Sequence, residues 1–289
     1  TRAREDGRDT VRTFDPSLNE KARKTVALEA AVRKALTEGE FRLSYQPIVS
    51  VPTGRIEGFE ALLRWESAEL GQVPPSDFIH LAEANGLIVP IGRWALKTAC
   101  SQAREWQKAG TPARVSVNLS AREFRQPDLY LTVRDTIAET GLHAPLLDLE
   151  ITERVAMESP DVSQFVLREL RSLGVSISVD DFGTGYSSLA YLRSFPIDTL
   201  KIDGSFIQAM VNDPQSAAIV RSVIDLAHNL KLGTVAEGVE TEEQAELLRR
   251  ASCDRIQGYV VSRPLPAAEA TRLLRNDRQA ARTSGGSAA

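Results

Sequence analysis

A chain of 289 residues with 42% hydrophobic and 26% charged residues has the make-up of a globular protein able to bury a large core. Its net charge of -4, with no sustained basic stripe, argues against a nucleic-acid polymer as partner. No apolar run is long enough to cross a membrane and no signal peptide is recognisable, so no membrane contact is expected of this stretch. Cys100 and Cys253 fit neither a metal-ligand spacing nor a disulfide framework and read as small core residues; their scarcity suits a reducing cytoplasm. The start at Thr1, without Met, reads as a piece of a longer protein.

Residues 1–16 are polar and charged, and Asp15-Pro16 offers a cap and a first helical turn. Leu28, Val32, Ala35 and Leu36 then recur at helical spacing until Gly39, giving a connector helix over 17–39. From residue 40 to 276 strand-like and helix-like stretches alternate. The expected strands are Phe41–Val51, Arg55–Trp65, Arg114–Leu119, Leu146–Thr152, Val175–Asp181, Asp198–Asp203, Gly233–Glu237 and Asp254–Val261. Helices are expected near 77–84, 92–109, 121–140, 160–173, 214–231, 241–251 and 266–276, with 277–289 a disordered tail. Pro52-Thr53-Gly54 joins the first two strands as a tight antiparallel turn. The fold class is therefore α/β, a modified (β/α)₈ TIM barrel with one antiparallel strand near the start.

Parallel strands covered on both faces usually read as continuous apolar runs. These alternate: Ser116 and Asn118 interleave with Val115, Val117 and Leu119, Asp148 and Glu150 with Leu147, Leu149 and Ile151, and Lys201 with Leu200 and Ile202. A period of two turns the apolar set toward the helices and the polar set inward, where it needs charge partners or ligands. The strand ends collect Glu60, Asn118, Glu150, Asp180, Asp181, Lys201, Asp203, Glu237 and Gln257. Adjacent carboxylates such as Asp180-Asp181 repel unless a cation neutralises them, and an oxygen-only set suits Mg²⁺ or Mn²⁺ rather than zinc. The three histidines, His80, His143 and His228, lack ligand spacing. Composition and spacing thus point to metal-dependent chemistry on an anionic, phosphate-bearing substrate.

Several strings in register carry a family resemblance: Glu60-Ala61-Leu62, Asn118-Leu119-Ser120, Glu150-Ile151-Thr152-Glu153, Asp180-Asp181-Phe182-Gly183-Thr184-Gly185-Tyr186-Ser187-Ser188-Leu189, Leu200-Lys201-Ile202-Asp203, Ala236-Glu237-Gly238-Val239-Glu240 and Gln257-Gly258-Tyr259. Together they resemble the EAL-domain cyclic-di-GMP phosphodiesterases, from about Phe41 to Leu265. The resemblance implies hydrolysis of cyclic di-GMP to linear 5′-pGpG with two Mg²⁺ or Mn²⁺ ions. Carried over by position, Glu60, Asn118, Glu150 and Asp180 resemble the ligands of one metal, and Asp180, Asp181 and Glu237 those of the second. Lys201 resembles the lysine that holds the attacking water. Gln46, Arg64, Gln257 and Asp203 correspond to substrate-side positions, and Glu153 to the glutamate that anchors the loop after Asp181.

The resemblance further implies a homodimer. His80, in place of a frequent Pro, and Val260-Val261 depart from the family pattern without touching the metal set. Residues 3–14 resemble the closing segment of a GGDEF diguanylate cyclase domain, which implies a tandem GGDEF–EAL parent with upstream sensory domains, open to membrane anchorage there. Two alternatives remain open: a non-catalytic cyclic-di-GMP sensor, and a different metal-dependent barrel enzyme with a lysine base.

Overall fold

The computed structural model describes residues 16–185 and 189–285. The chain opens with helix α1 (Pro16–Glu38), strands β1 (Phe41–Ser50), β2 (Ile56–Ser67) and β3 (Gly71–Val73), and helices α2 (Pro75–Asn85) and α3 (Ile88–Lys108). β4 (Arg114–Asn118), α4 (Ala121–Phe124), α5 (Leu129–Thr140), β5 (Leu147–Thr152), α6 (Glu153–Glu158), α7 (Pro160–Ser172) and β6 (Ser176–Phe182) follow. The last part comprises α8 (Leu189–Ser194), β7 (Thr199–Ile202), α9 (Gly204–Ala209), α10 (Pro214–Asn229), β8 (Gly233–Ala236), α11 (Glu242–Arg250), β9 (Arg255–Ile256), β10 (Leu265–Pro266) and α12 (Ala267–Gly285).

The strands β2, β4, β5, β6, β7, β8 and β9 run parallel in that order. β1 closes the ring by pairing antiparallel with both β2 and β9. The fold is thus a closed α/β barrel of eight strands whose first strand runs the other way, as the sequence pattern implies. β3 and β10 extend the sheet outside the ring.

The core sits between strands and helices. Val115, Leu147, Leu149, Ile177, Val179, Leu200 and Ile202 are fully buried there against helix residues such as Leu167, Leu170, Val220 and Ile224. A second apolar cluster joins Phe41, Trp65, Phe78 and Ile91 at one side of the barrel. Val32 and Ala35 of α1 are fully buried in it, so the end of the connector helix is packed onto the barrel rather than standing apart.

Several expected bounds change. The helix over 121–140 is two helices, interrupted around Pro127, whose ring and missing N–H disfavour a continuous helix. The eighth strand shrinks to Arg255–Ile256. The tail is not disordered as far as Gly285, because α12 runs on through 277–285. Arg55 Nη1 donates to the Asp277 carbonyl at 3.1 Å and Arg278 Nη2 to the Pro112 carbonyl at 3.2 Å, which ties the extension down. The segment compared with GGDEF domains, residues 3–14, and residues 286–289 lie outside the described residues.

Candidate active site

Seven parallel strands point their carboxyl ends to one mouth, and register decides which side chains meet there. Glu60 lies opposite Gln46 on β1 and beside Ser116 on β4. Asn118 pairs with Glu150, and Glu150 with Ser178. Asp180 and Asp181 end β6, Lys201 sits on β7, and Glu237 and Gln257 follow β8 and β9 directly.

At the centre is Lys201, a fully buried ammonium. Its Nζ lies 2.6 Å from Glu150 Oε2, 2.6 Å from Glu237 Oε1, 3.3 Å from Asp180 Oδ1 and 3.6 Å from Glu60 Oε2. Burial opposes its charge, but the surrounding carboxylates, Glu150 foremost, hold its pKa well above the ordinary lysine value. The polar interior expected to need outside partners therefore supplies much of its own compensation.

The carboxylates differ according to their donors. Glu60 accepts from Asn118 Nδ2 at 2.6 Å and from Gln257 Nε2 at 2.6 Å. Burial alone would raise its pKa, yet Lys201 and these amides bring it below the usual value. Burial pushes Glu150 well up, against the pull of Lys201, and takes Glu237 to about 8. Burial and the neighbouring Asp180 raise Asp181.

Gln46 Oε1 accepts from Gln257 Nε2 at 3.2 Å, and Gln46 Nε2 donates to the Ser262 carbonyl at 3.3 Å. A polar cavity of about 340 Å³ opens above these groups, bounded by Gln46, Glu60, Asp180, Glu237 and Gln257. Gln208, Glu240 and Tyr259 also line it, the last with Arg263 4.2 Å over its ring. Arg64 is half-buried, with Nη1 donating to the Leu63 carbonyl at 2.8 Å, and it does not line the cavity.

The turn after β6 is tightly specified. Asp181 has φ +54°, a left-handed conformation that Asp tolerates better than most residues, and its N–H donates to Asp180 Oδ1 at 2.9 Å. Gly183 has φ +101°, and a Cβ on Gly185 would lie 2.8 Å from Glu153 Oε1. The Glu153 carboxylate accepts from the Gly183 N–H at 2.9 Å, so it pins this turn. Asp203 follows the carboxyl end of β7, accepts from the Ser205 N–H at 3.0 Å as the cap of α9, and adds its charge to those that raise Asp181.

Carboxylate oxygens of Asp180, Asp181 and Glu237 lie within 4.8 Å of one another, the spacing a single cation can bridge. The donor set is oxygen-only, which fits a hard divalent cation.

A closed α/β barrel with a lysine enclosed by carboxylates at its carboxyl mouth has the layout of a barrel enzyme's active site. The sequence profile of the EAL domain matches residues 29–264, and the chain belongs to the EAL domain family. It is 44% identical over 266 residues to the Pseudomonas aeruginosa bifunctional diguanylate cyclase/cyclic di-GMP phosphodiesterase MucR, covering 92% of this chain and 39% of that protein. Identity to the cyclic di-GMP phosphodiesterase NbdA of the same organism is 42% over 270 residues, covering 93% of this chain and 34% of NbdA. The chain thus spans well under half the length of these relatives. A solved structure described as the PaMucR phosphodiesterase in complex with c-di-GMP superposes with a TM-score of 0.82 at 45% identity, over 84% of this chain and 99% of that one.

Sequence reasoning left Gln208, Ser262 and Tyr259 without roles. Gln208 comes from a helix of six residues, too short to show a periodic face, and Ser262 takes part through its backbone carbonyl.

Proposed function

We propose that this chain hydrolyses cyclic di-GMP to linear 5′-pGpG with the help of two divalent cations, Mg²⁺ or Mn²⁺. The observation that carries the reading is the close carboxylate set of Asp180, Asp181 and Glu237 beside Lys201, in a member of the EAL family. Glu60, Asn118, Glu150 and Asp180 would hold one ion, and Asp180, Asp181 and Glu237 the other. Bound there, the ions would supply Lewis acidity and lower the pKa of a coordinated water.

The chain's own groups do the rest. Lys201, held by Glu150 and Glu237, orients the attacking water. The water oxygen bonds to phosphorus, the bond to the ribose 3′ oxygen breaks, and that oxygen takes up the proton the water gives up, which opens the ring. Gln46, Arg64, Gln257 and Asp203 serve the substrate side. Glu153 keeps the loop after Asp181 in place.

Turnover of cyclic di-GMP with Mg²⁺ or Mn²⁺, beside an EDTA control, tests this directly. Glu60→Ala and Asp180→Asn should fold and lose about a hundredfold or more of the rate, since each removes a carboxylate charge from the centre. Substrate that binds but stays intact under every metal would favour the sensor reading instead.

A homodimer, a GGDEF-type upstream partner and a cytoplasmic setting complete the proposal. Val162 and Phe165 on α7 and Leu131 on α5 line an apolar groove of about 520 Å³. With Phe165 66% exposed, this face supports self-association. Phe165→Asp should shift sedimentation toward the monomer while changing stability by less than about 0.5 kcal/mol. No described helix is long and apolar enough to cross a membrane.

A further inference from the structure

Beneath the mouth the barrel axis holds a second polar layer that the proposed reaction does not use. Asp148 lies two residues before Glu150 on β5, so both side chains point inward, one layer apart. Register places Ser116 and Ser176 beside Asp148 on the neighbouring strands, with Ser178 beside Glu150. Asp148 Oδ2 accepts from Ser116 Oγ at 3.0 Å and from Ser178 Oγ at 2.7 Å.

The other oxygen of each carboxylate has no donor. Asp148 Oδ1 and Glu150 Oε1 are both buried, and no protein donor reaches either among the described residues. Asp148 is only 5% exposed and Glu150 1%. Both line one small space, together with Ser116, Ser178, Thr199 and Lys201. That space leaves about 20 Å³ for the centre of a water molecule. One water needs ~10–15 Å³ on the same measure. Lys201, Arg114 and Arg255 line it opposite Glu57, Asp148 and Glu150, so the charges already balance without an added cation.

We propose that this space holds one ordered water donating to Asp148 Oδ1 and Glu150 Oε1, and that Asp148 acts through it as a positioning residue for Glu150 and Lys201. The chain of contacts is then continuous: two serine hydroxyls fix Asp148, Asp148 and the water fix Glu150, and Glu150 fixes Lys201 Nζ at 2.6 Å. The role for Lys201 and Glu150 rests on the function proposed above.

The test joins a crystal structure at a resolution that shows waters with kinetics of Asp148→Leu and Asp148→Asn. A water within hydrogen-bond distance of both oxygens is expected in the unaltered protein. Asp148→Leu should lose it, displace Lys201 Nζ from Glu150, and lower kcat by about 10- to 100-fold at unchanged KM. Asp148→Asn keeps an acceptor for the serines and a partner for the water, and should restore most of kcat. A dry space, or a leucine variant with unaltered kcat, would overturn the proposal while leaving cyclic-di-GMP hydrolysis standing. If the unaltered protein does not turn over cyclic di-GMP, the functional reading fails, and the water and the Lys201 displacement alone decide this proposal. Should Asp148→Leu not fold, Ser116→Ala with Ser178→Ala releases Asp148 in its place. The same kcat loss supports the proposal and its absence overturns it.

Discussion

The inside of the barrel and the shell around it are built on opposite principles. Inside, Glu60, Glu150, Asp180, Lys201 and Glu237 meet around one ammonium, with Asp148 and two serines below. In the shell, the opposite faces of the same strands bury Val115, Leu149, Val179 and Leu200 against helices. Strand alternation produces both environments from one backbone. Cohesion therefore resides mainly outside the strands, and the interior is free to carry charge, provided each charge is answered.

Lys201→Met is the harshest way to break that balance. It leaves several buried carboxylates without their shared cation, and removing one partner of a buried ionic set costs about 3–5 kcal/mol. Urea denaturation should show that loss, and turnover should fall to background. A variant as stable as the parent would mean that the carboxylates are protonated without their lysine and that the interior does not depend on ionic pairing.

Phe78→Ala probes the shell instead. Phe78 is fully buried, with its ring 5.4 Å from Trp65 edge-on and 5.8 Å from Phe41. Truncation should cost about 3–4 kcal/mol through lost burial and the cavity left behind. The kcat of the molecules that remain folded should hold, because Phe78 is not among the residues that line the cavity at the mouth. A matching loss of kcat would show that shell and interior are mechanically coupled, and would blur the contrast.

The same contrast explains what was legible in the sequence. Alternation in β4, β5 and β7 was enough to place Ser116, Asn118, Asp148, Glu150 and Lys201 inward, because a period of two fixes the face without any tertiary information. The Pro52-Thr53-Gly54 turn likewise announced the antiparallel first strand. Short pieces escaped. α6, α8 and α9 are six residues each, less than two full turns, and β3 and β10 have three and two residues. The helical continuation through 277–285 escaped because its anchors, Arg55 and the Pro112 carbonyl, lie far away in sequence. Asp203 and Glu153 were recognisable by motif, but their engagement with backbone N–H groups is a matter of local turn geometry.

The mildest test concerns a carboxylate that the shell buries without a cation. Glu123 is 7% exposed; its Oε2 accepts from the Ser120 N–H at 3.0 Å and completes a capping box at the start of α4. Burial pushes its pKa up to about 7, against the hydrogen bonds from Ser120. A carboxylate whose folded pKa exceeds its unfolded value of about 4.5 binds its proton more tightly in the folded state. Its contribution to stability is thus fully present below pH ~4.5 and is lost as pH rises through ~7. Glu123→Gln keeps the amide oxygen for the cap and removes the ionisation. The stability of the variant relative to the parent should rise by about 1–3 kcal/mol between pH 5 and pH 8, other titrating groups cancelling in the difference. Paired denaturation curves at the two pH values read this directly. A difference that stays flat would mean that Glu123 is ionised in the folded protein throughout this range. The shell would then tolerate an unpaired charge as well as the interior tolerates its paired ones, and the division between them would rest on apolar packing alone.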